Sequence, residues 1–163
     1  MTWDVQVRLA RSADAEAISR VIVAALHETN AADYPPEVIK AVAASFTPEH
    51  VRSRFATRTV FVATQGGSII GTASLDGDVV RTVFVSPDAQ GKGVGAALME
   101  AVERLAAAQG LTALCVPSSV TAQGFYEKRG FVAVRDEFYG VERTIVMMKP
   151  LSSGPSFIPR SDR

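Results

Sequence analysis

The sequence has few of the residues that build cross-links or metal sites. Its 163 residues include one cysteine, Cys115, and two histidines. A single cysteine closes no disulfide within the chain, and no Cys/His cluster has the spacing of zinc ligands. We therefore expect no disulfide scaffold and no metal, in a protein of the reducing cytoplasm. The place of Cys115 between Leu114 and Val116 predicts a buried, inert thiol.

The chain also lacks an excess of charge and a long apolar run. Seventeen Lys and Arg balance seventeen Asp and Glu, so no net charge attracts the chain to a phosphate backbone or an anionic membrane. No apolar run approaches the ~18 residues of a membrane span, and the N-terminus lacks a basic segment followed by an apolar one. We expect a soluble protein without a nucleic-acid or membrane partner.

The length and hydrophobic content of the chain are sufficient for one folded domain. With 47% hydrophobic residues, a chain of this length buries about two-thirds of its unfolded surface. We assign residues 1–151 to a single domain. Residues 152–163, rich in Ser, Pro and Arg and without periodicity, predict a flexible tail.

Hydrophobic periodicity predicts strands and helices in both halves of the chain. Val5–Leu9 has the alternation of a strand, and helical spacing begins after Ser12. Two short helices are expected after the prolines near positions 35 and 48. Residues 59–85 predict three antiparallel strands joined by two tight hairpins.

The second half predicts a strand, a glycine loop, a helix and a parallel strand. The loop Gln90–Gly95 precedes a helix that ends at Gly110. Leu111–Val116 returns as a strand parallel to the one that ends at Val85. A last helix is predicted to be capped by Ser119 and to end at Gly130, with Phe131 completing a Schellman motif. Two strands over 131–135 and 143–148 complete the fold.

The glycine loop predicts an anion site. Three glycines at alternate positions, Gly91, Gly93 and Gly95, let backbone N–H groups converge on an anion beside a helix N-terminus. A phosphate is the expected ligand. The alternative is that the glycines only permit a tight turn and bind nothing. A Walker A loop is excluded because Lys92 is followed by glycine instead of Ser or Thr. A Rossmann loop fits poorly, because five residues separate it from the strand and no acidic residue follows in 111–119.

Two segments carry a resemblance to a known family. The segment from Val83 to Met99 resembles the acetyl-coenzyme A signature of the GNAT superfamily of N-acetyltransferases, Gln/Arg-x-x-Gly-x-Gly/Ala. Ser119 to Phe131 is similar to that family's C-terminal Asn-x-x-Ala-x-x-Phe-Tyr-x-Lys-x-Gly-Phe. The resemblance implies an α/β (α+β) fold with a central mixed, mostly antiparallel seven-stranded sheet flanked by helices on both faces.

The resemblance also implies an activity. A GNAT enzyme moves the acetyl group of acetyl-CoA directly to a primary amine, without a covalent enzyme intermediate. The acceptor, a small molecule or a peptide, stays open, as does the choice between monomer and homodimer. A CoA-binding sensor or interaction module without turnover is the alternative. It is favoured by Arg81, which lies on the strand where many relatives carry a Glu.

The resemblance implies that acetyl-CoA lies along the strand end and the glycine loop. A strand that splays from its parallel neighbour after Phe84 would leave open backbone for the pantetheine arm. The N–H of Val85 is the expected donor to the thioester carbonyl. The implied cofactor-binding residues are Val83, Phe84, Val85, Gln90, Gly91, Lys92, Gly93, Val94, Gly95, Ala96, Ser119, Tyr126 and Lys128.

Tyr126 is the expected general acid, because it occupies the tyrosine of the family's Phe-Tyr element. A phenol with a pKa of about 10 is suited to return a proton to the leaving thiolate. The alternative is a core tyrosine whose hydroxyl bonds to a neighbour. Ser119 replaces the family's frequent Asn, which puts its hydrogen bond to the pantetheine in doubt.

The sequence names no general base. Candidates on the acceptor side are His27, Glu28, Asp78, Glu137 and Tyr139, the last as a lining residue of the acceptor pocket. A solvated or structural role is the alternative for each. A chain of water molecules to bulk solvent would also remove the proton.

Overall fold

Seven strands form one sheet in the computed structural model, which describes residues 4–151. The strands are β1 (Val5–Leu9), β2 (Thr59–Gln65), β3 (Ser68–Asp76), β4 (Val79–Val85), β5 (Ala113–Ser119), β6 (Val132–Tyr139) and β7 (Glu142–Pro150). Their order across the sheet is β1-β2-β3-β4-β5-β7-β6. Only β4 and β5 pair in parallel among these strands. The mixed, mostly antiparallel sheet is therefore confirmed.

Helices cover both faces of the sheet. They are α1 (Ala15–Glu28), α2 (Pro36–Ala44), α3 (Pro48–Arg54), α4 (Val94–Ala108) and α5 (Gln123–Lys128). Helices α1 to α3 share one buried core with Val62, whereas α4 and Tyr126 of α5 share another with Ala63. Successive strand residues point to opposite faces, so these two neighbours on β2 serve the two cores.

The observed bounds differ from the predicted ones around β5. This strand starts and ends later than the predicted Leu111–Val116, because β7 pairs with it from Ala113 to Ser119. Ser119 is thus a strand residue, and its Oγ accepts a hydrogen bond from the N–H of Ala122 at 3.1 Å. It caps the turn before α5 instead of the helix itself.

The end of α5 has the predicted geometry. Gly130 has a φ of +96°, and the N–H of Phe131 donates to the carbonyl of Tyr126 at 3.0 Å. A second bond joins Gly130 to the carbonyl of Glu127 at 3.1 Å. These two bonds define a Schellman motif. The motif fixes the chain reversal that returns Phe131 to the core beside Tyr126.

The structure bears on several other sequence predictions. The thiol of Cys115 is half-buried instead of buried, and burial raises its pKa. No helix within residues 4–151 is long and apolar enough to cross a membrane. The same range holds no group of three or more His, Cys, Asp and Glu side chains placed to bind a metal ion. The predicted tail, 152–163, lies outside the described residues.

Candidate active site

The site begins where β4 and β5 separate. Their parallel pairing is limited to Val79 and Cys115, with the Cys115 N–H donating to the carbonyl of Asp78 at 3.0 Å. The prediction that the strands splay after Phe84 was therefore wrong in position, because they part directly after Val79. Most of β4 consequently faces an opening instead of a neighbouring strand.

A β-bulge in β4 accompanies this separation. The register between β3 and β4 shifts between Thr72 and Ser74, which leaves one extra residue on β4. Thr82 has a φ of +56° there, a left-handed conformation that β-branched residues rarely adopt. Its Oγ1 accepts a hydrogen bond from Arg58 Nη1 at 3.2 Å. Bulges bend and twist a strand, and this one lies in the part of β4 that has no parallel partner on β5.

The end of β4 presents main-chain groups to the opening. The N–H of Ser86 donates to the carbonyl of Ile70 at 2.8 Å. Hydrogen-bonded and non-bonded pairs alternate in an antiparallel ladder, so the preceding pair, Gly71 and Val85, is a non-bonded one. The N–H of Val85 therefore points away from β3 and into the opening. The Val85 carbonyl accepts from Gln90 Nε2 at 3.2 Å, which ties the loop to the strand.

The glycines of the loop have two different roles. Gly91 and Gly93 have φ values of +77° and +81°, and the space where a Cβ would stand is open at both. Gly93 is the N-cap of α4 and offers no side-chain cap, so the first N–H groups of the helix lack intrahelical partners. Gly95 is needed for packing instead, because a Cβ there would lie 3.0 Å from the ring of Phe125.

These features meet in one cleft of about 660 Å³ between the two strands. Most of the predicted cofactor set lines it: Val83, Phe84, Val85, Gln90, Gly91, Gly93, Val94, Gly95, Ala96, Ser119 and Tyr126. Lys92 and Lys128 lie outside the lining, and Lys92 Nζ donates to the Asp88 carbonyl at 3.4 Å. The cleft also reaches α1, α2 and α3, so it connects the two faces of the sheet.

Tyr126 lies in the wall of this cleft. It is 4% exposed, and its ring makes edge-to-face contacts with Phe125 and Phe131 at centroid distances of 5.1 and 5.4 Å. Its hydroxyl has no hydrogen-bond partner within residues 4–151. The neighbour required by the purely structural alternative is therefore missing from the described part of the chain. Burial raises the pKa of the Tyr126 phenol, so it stays protonated at neutral pH.

The acceptor-side candidates from the sequence lie mostly outside the cleft. His27 and Glu28 are exposed at the end of α1 and do not line it. Glu137 also lies outside, where it pairs with Arg135 at 2.8 Å. Tyr139 does line the cleft, and its hydroxyl donates to Glu137 Oε1 at 3.1 Å. Asp78 is exposed in the turn before β4 and is not a lining residue.

The cleft contains a tyrosine that sequence reasoning missed. The hydroxyl of Tyr34 donates to the carbonyl of Arg143 at 3.0 Å and accepts from the N–H of Val120 at 2.7 Å. Next to it, Thr121 Oγ1 donates to Asp33 Oδ2 at 2.7 Å. The loop between α1 and α2 is thereby docked on the turn between β5 and α5. The sequence signal that could have identified Tyr34 was the position of this aromatic residue directly before two prolines.

Two arginines of the cleft were also missed. Arg54 ends α3, and Arg58 follows one helical turn later, just before β2. Arg81, noted in the sequence for replacing a carboxylate, also lines the cleft, and its Nε donates to Asp76 Oδ2 at 3.3 Å. The spacing of Arg54 and Arg58 at i and i+4 was the signal, but it equally describes a solvated helix end.

Comparison with known proteins agrees with this geometry. The family model of the acetyltransferase (GNAT) domain matches residues 30–151. The chain is 35% identical over 102 residues to an IAA acetyltransferase of Azospirillum brasilense, which covers 55% of this chain and 66% of that protein.

Solved structures share the whole architecture. A GCN5-related N-acetyltransferase (aminotransferase, class-II) from Rhodopseudomonas palustris matches with a TM-score of 0.87 and 31% identity, over 93% of this chain and 99% of that one. The PaiA N-acetyltransferase of Thermoplasma acidophilum, solved in complex with coenzyme A, matches with a TM-score of 0.76 and 18% identity, over 92% and 99% of the two chains. With its split sheet, glycine loop and matching family model, the chain belongs to the GNAT superfamily of N-acetyltransferases.

Proposed function

We propose that this protein transfers the acetyl group of acetyl-CoA directly to a primary amine. One observation carries the proposal: the open edge of β4, the N-terminus of α4 and Tyr126 line the same cleft. They offer donors for a thioester carbonyl, donors for a pyrophosphate and a proton for a leaving thiolate. These are the three groups that direct acetyl transfer from a thioester requires.

The residues present fit an acyl-CoA. The open space beside Gly91 and Gly93 allows a phosphate to approach the backbone, and the uncapped N-terminus of α4 favours its negative charge. The outward N–H of Val85 suits the thioester carbonyl or the adjoining pantetheine amide. Acetyl-CoA, when bound, supplies the acetyl group as an activated thioester. The Thermoplasma relative, solved with coenzyme A, supports this choice of ligand.

Protons enter and leave through groups of the chain. The N–H of Val85 stabilises negative charge on the carbonyl oxygen, and Tyr126 holds the proton that the sulfur needs. The incoming ammonium must lose a proton before it attacks. Glu142 is the carboxylate that lines the cleft in the described part of the chain, so this proton leaves through Glu142 or through water to bulk solvent.

Calorimetric titration with acetyl-CoA tests the proposal first, with NADH as the control ligand. We expect acetyl-CoA to bind with a Kd of about 100 µM or tighter, and NADH to give no heat. A screen of amines for release of the CoA thiol follows. Acetyl-CoA binding without thiol release from any amine would support the CoA-binding module instead, and no acyl-CoA binding by the folded protein would overturn both.

A further inference from the structure

We propose that the acceptor amine carries a carboxylate and that Arg54 binds it. This inference rests on the proposed acetyl transfer and specifies the class of acceptor. It starts from a contrast among the arginines of residues 4–151. The half-buried ones are Arg8, Arg54, Arg58, Arg81 and Arg129. Each of them except Arg54 has a carboxylate oxygen within 4 Å.

The guanidinium of Arg54 is held at the cleft wall without a counter-ion. Its Nη1 atom is buried and has no hydrogen-bond partner within residues 4–151. The guanidinium carbon stands 4.7 Å from the centroid of the Phe46 ring, and Phe46 packs edge-on against Phe84 of β4 at 6.1 Å. A cation–π contact orients the group but leaves its planar donors unused.

The neighbours of Arg54 add positive charge instead of neutralising it. Arg58 and Arg81 share the carboxylate of Asp76, at 3.8 and 3.3 Å. Three guanidinium groups therefore line the cleft, and two of them share one carboxylate, that of Asp76. Burial lowers the pKa of Arg58, and the nearby charges of Arg54 and Arg81 lower it further. A bound anion would relieve both the repulsion and the desolvation.

The chemistry of the wall favours a carboxylate with an apolar part beside it. A guanidinium presents two parallel N–H donors that match the two oxygens of a carboxylate. In the same cleft, α1 and α2 contribute apolar lining residues, namely Leu26, Val38, Ile39 and Val42. An α-amino acid with an apolar side chain combines an amine, a carboxylate and such an apolar group in one small molecule.

Matched pairs of acceptors test the inference directly. L-leucine and L-phenylalanine are compared with leucinamide and phenylalaninamide, which keep the side chain but lose the negative charge, at a pH where the amine of both members of a pair is unprotonated. An aminoalkylphosphonate distinguishes a carboxylate site from a general anion site. The wild-type enzyme should acetylate each acid with a kcat/KM at least about tenfold above that of its amide, and above that of the phosphonate.

Variants assign that preference to Arg54. Arg54→Gln should reduce kcat/KM for the acids by about tenfold or more and for the amides by clearly less, because an amide carbonyl loses one neutral hydrogen bond whereas a carboxylate loses a charged pair. Arg54→Lys, which keeps the charge but loses the fork of donors, should fall between the two. Arg52→Gln is the matched control, because Arg52 belongs to the same helix but is exposed and does not line the cleft. Unchanged acetyl-CoA affinity in Arg54→Gln shows that the variant is folded.

Several results would overturn the inference. These are an equal or better rate with the amides, an acid-to-amide ratio that Arg54→Gln leaves unchanged, or a preference for phosphonate over carboxylate. If no acceptor in the set is acetylated, N-acetyl-leucine and its amide are titrated into the CoA-loaded protein, and equal binding overturns the inference. Failure of wild-type protein to bind acetyl-CoA would instead overturn the proposed function itself, and the inference with it.

Discussion

The two sides of the cleft use different parts of the polypeptide. On the side that we propose binds acetyl-CoA, the groups available for recognition belong to the main chain, namely the N–H of Val85 and the N–H groups at the start of α4. They come from one continuous stretch of the chain, 85–96. On the proposed acceptor side, the polar lining includes side chains of Tyr34, Arg54 and Arg58, with Arg81 and Glu142 from distant strands.

This difference explains why only one side leaves a trace in the sequence. Backbone recognition requires glycine at positions with left-handed φ, such as Gly91 and Gly93, and glycines at fixed spacing form a motif. Side-chain recognition uses ordinary residues whose meaning depends on what they face. The sequence does not show whether an arginine at the end of a short helix faces solvent or a substrate.

The two tyrosines of the cleft repeat the contrast. Tyr34 uses its hydroxyl twice, as donor to Arg143 and as acceptor from Val120, so it fastens one loop to another. Tyr126 is more deeply buried, and its hydroxyl has no hydrogen-bond partner among the described residues. A satisfied hydroxyl stabilises the structure, whereas an unsatisfied one in a cleft is available to a reacting group.

Tyr126→Phe is the substitution for which we expect the largest effect, a loss of kcat. The variant keeps the aromatic packing with Phe125 and Phe131 but removes the proton donor. We expect kcat to fall by at least about 100-fold, with acetyl-CoA affinity changed by less than about threefold. Steady-state thiol release and calorimetry measure the two quantities. An unchanged kcat would remove Tyr126 from the mechanism and leave its hydroxyl without a role.

Gly93→Val tests the backbone side of the cleft. A valine must adopt a φ near +81° and places its side chain where a phosphate approaches. We expect the Kd for acetyl-CoA to rise at least about tenfold, or about 1.4 kcal/mol. Gly67→Val is the control, since Gly67 has a similar φ of +85° with open space around it in the β2–β3 turn. Equal losses of affinity in both variants would point to general destabilisation.

Tyr34→Phe tests the structural tyrosine. Removing the hydroxyl breaks two hydrogen bonds across the cleft and leaves the N–H of Val120 without its partner. We expect the free energy of unfolding to fall by about 1 kcal/mol, with kcat within about twofold of wild type. Chemical denaturation and thiol release measure both. A loss of kcat as large as that of Tyr126→Phe would erase the distinction between the two tyrosines.

The pH dependence gives the smallest expected effect. As the proposed general acid, Tyr126 would act in its protonated form, and burial raises its pKa above the ordinary 10.0 of a tyrosine. A raised pKa moves the loss of the acid to higher pH, so the rate should rise as the acceptor amine deprotonates and then stay level. We expect less than about a twofold decline up to pH 10. A pH profile of kcat with a falling limb near pH 8 would contradict this role.

Much of the cofactor side of the cleft could be predicted from the sequence, and the predictions that were wrong have identifiable causes. The hairpins of β2 to β4, the glycine loop and the Schellman motif at Gly130 are local patterns, and the structure contains each of them. The bounds of β5 were wrong because β7 pairs along the strand through Ser119, a non-local contact. The point of splay was wrong because the parallel pairing already ends at Val79 and Cys115, and the left-handed φ of Thr82 bends β4 beyond that point. Neither feature is a local pattern of the sequence.

The sequence by itself determined the class of fold, the glycine loop and the tyrosine of α5, because each depends on spacing within a short segment. Tertiary structure alone decided which charged groups line the cleft. It excluded His27 and Glu28 from the cleft and placed Arg54 and Arg58 in it. The physical reason is that burial and pairing depend on neighbours that lie far apart in the chain. A guanidinium without a carboxylate can be recognised only after every carboxylate has been placed.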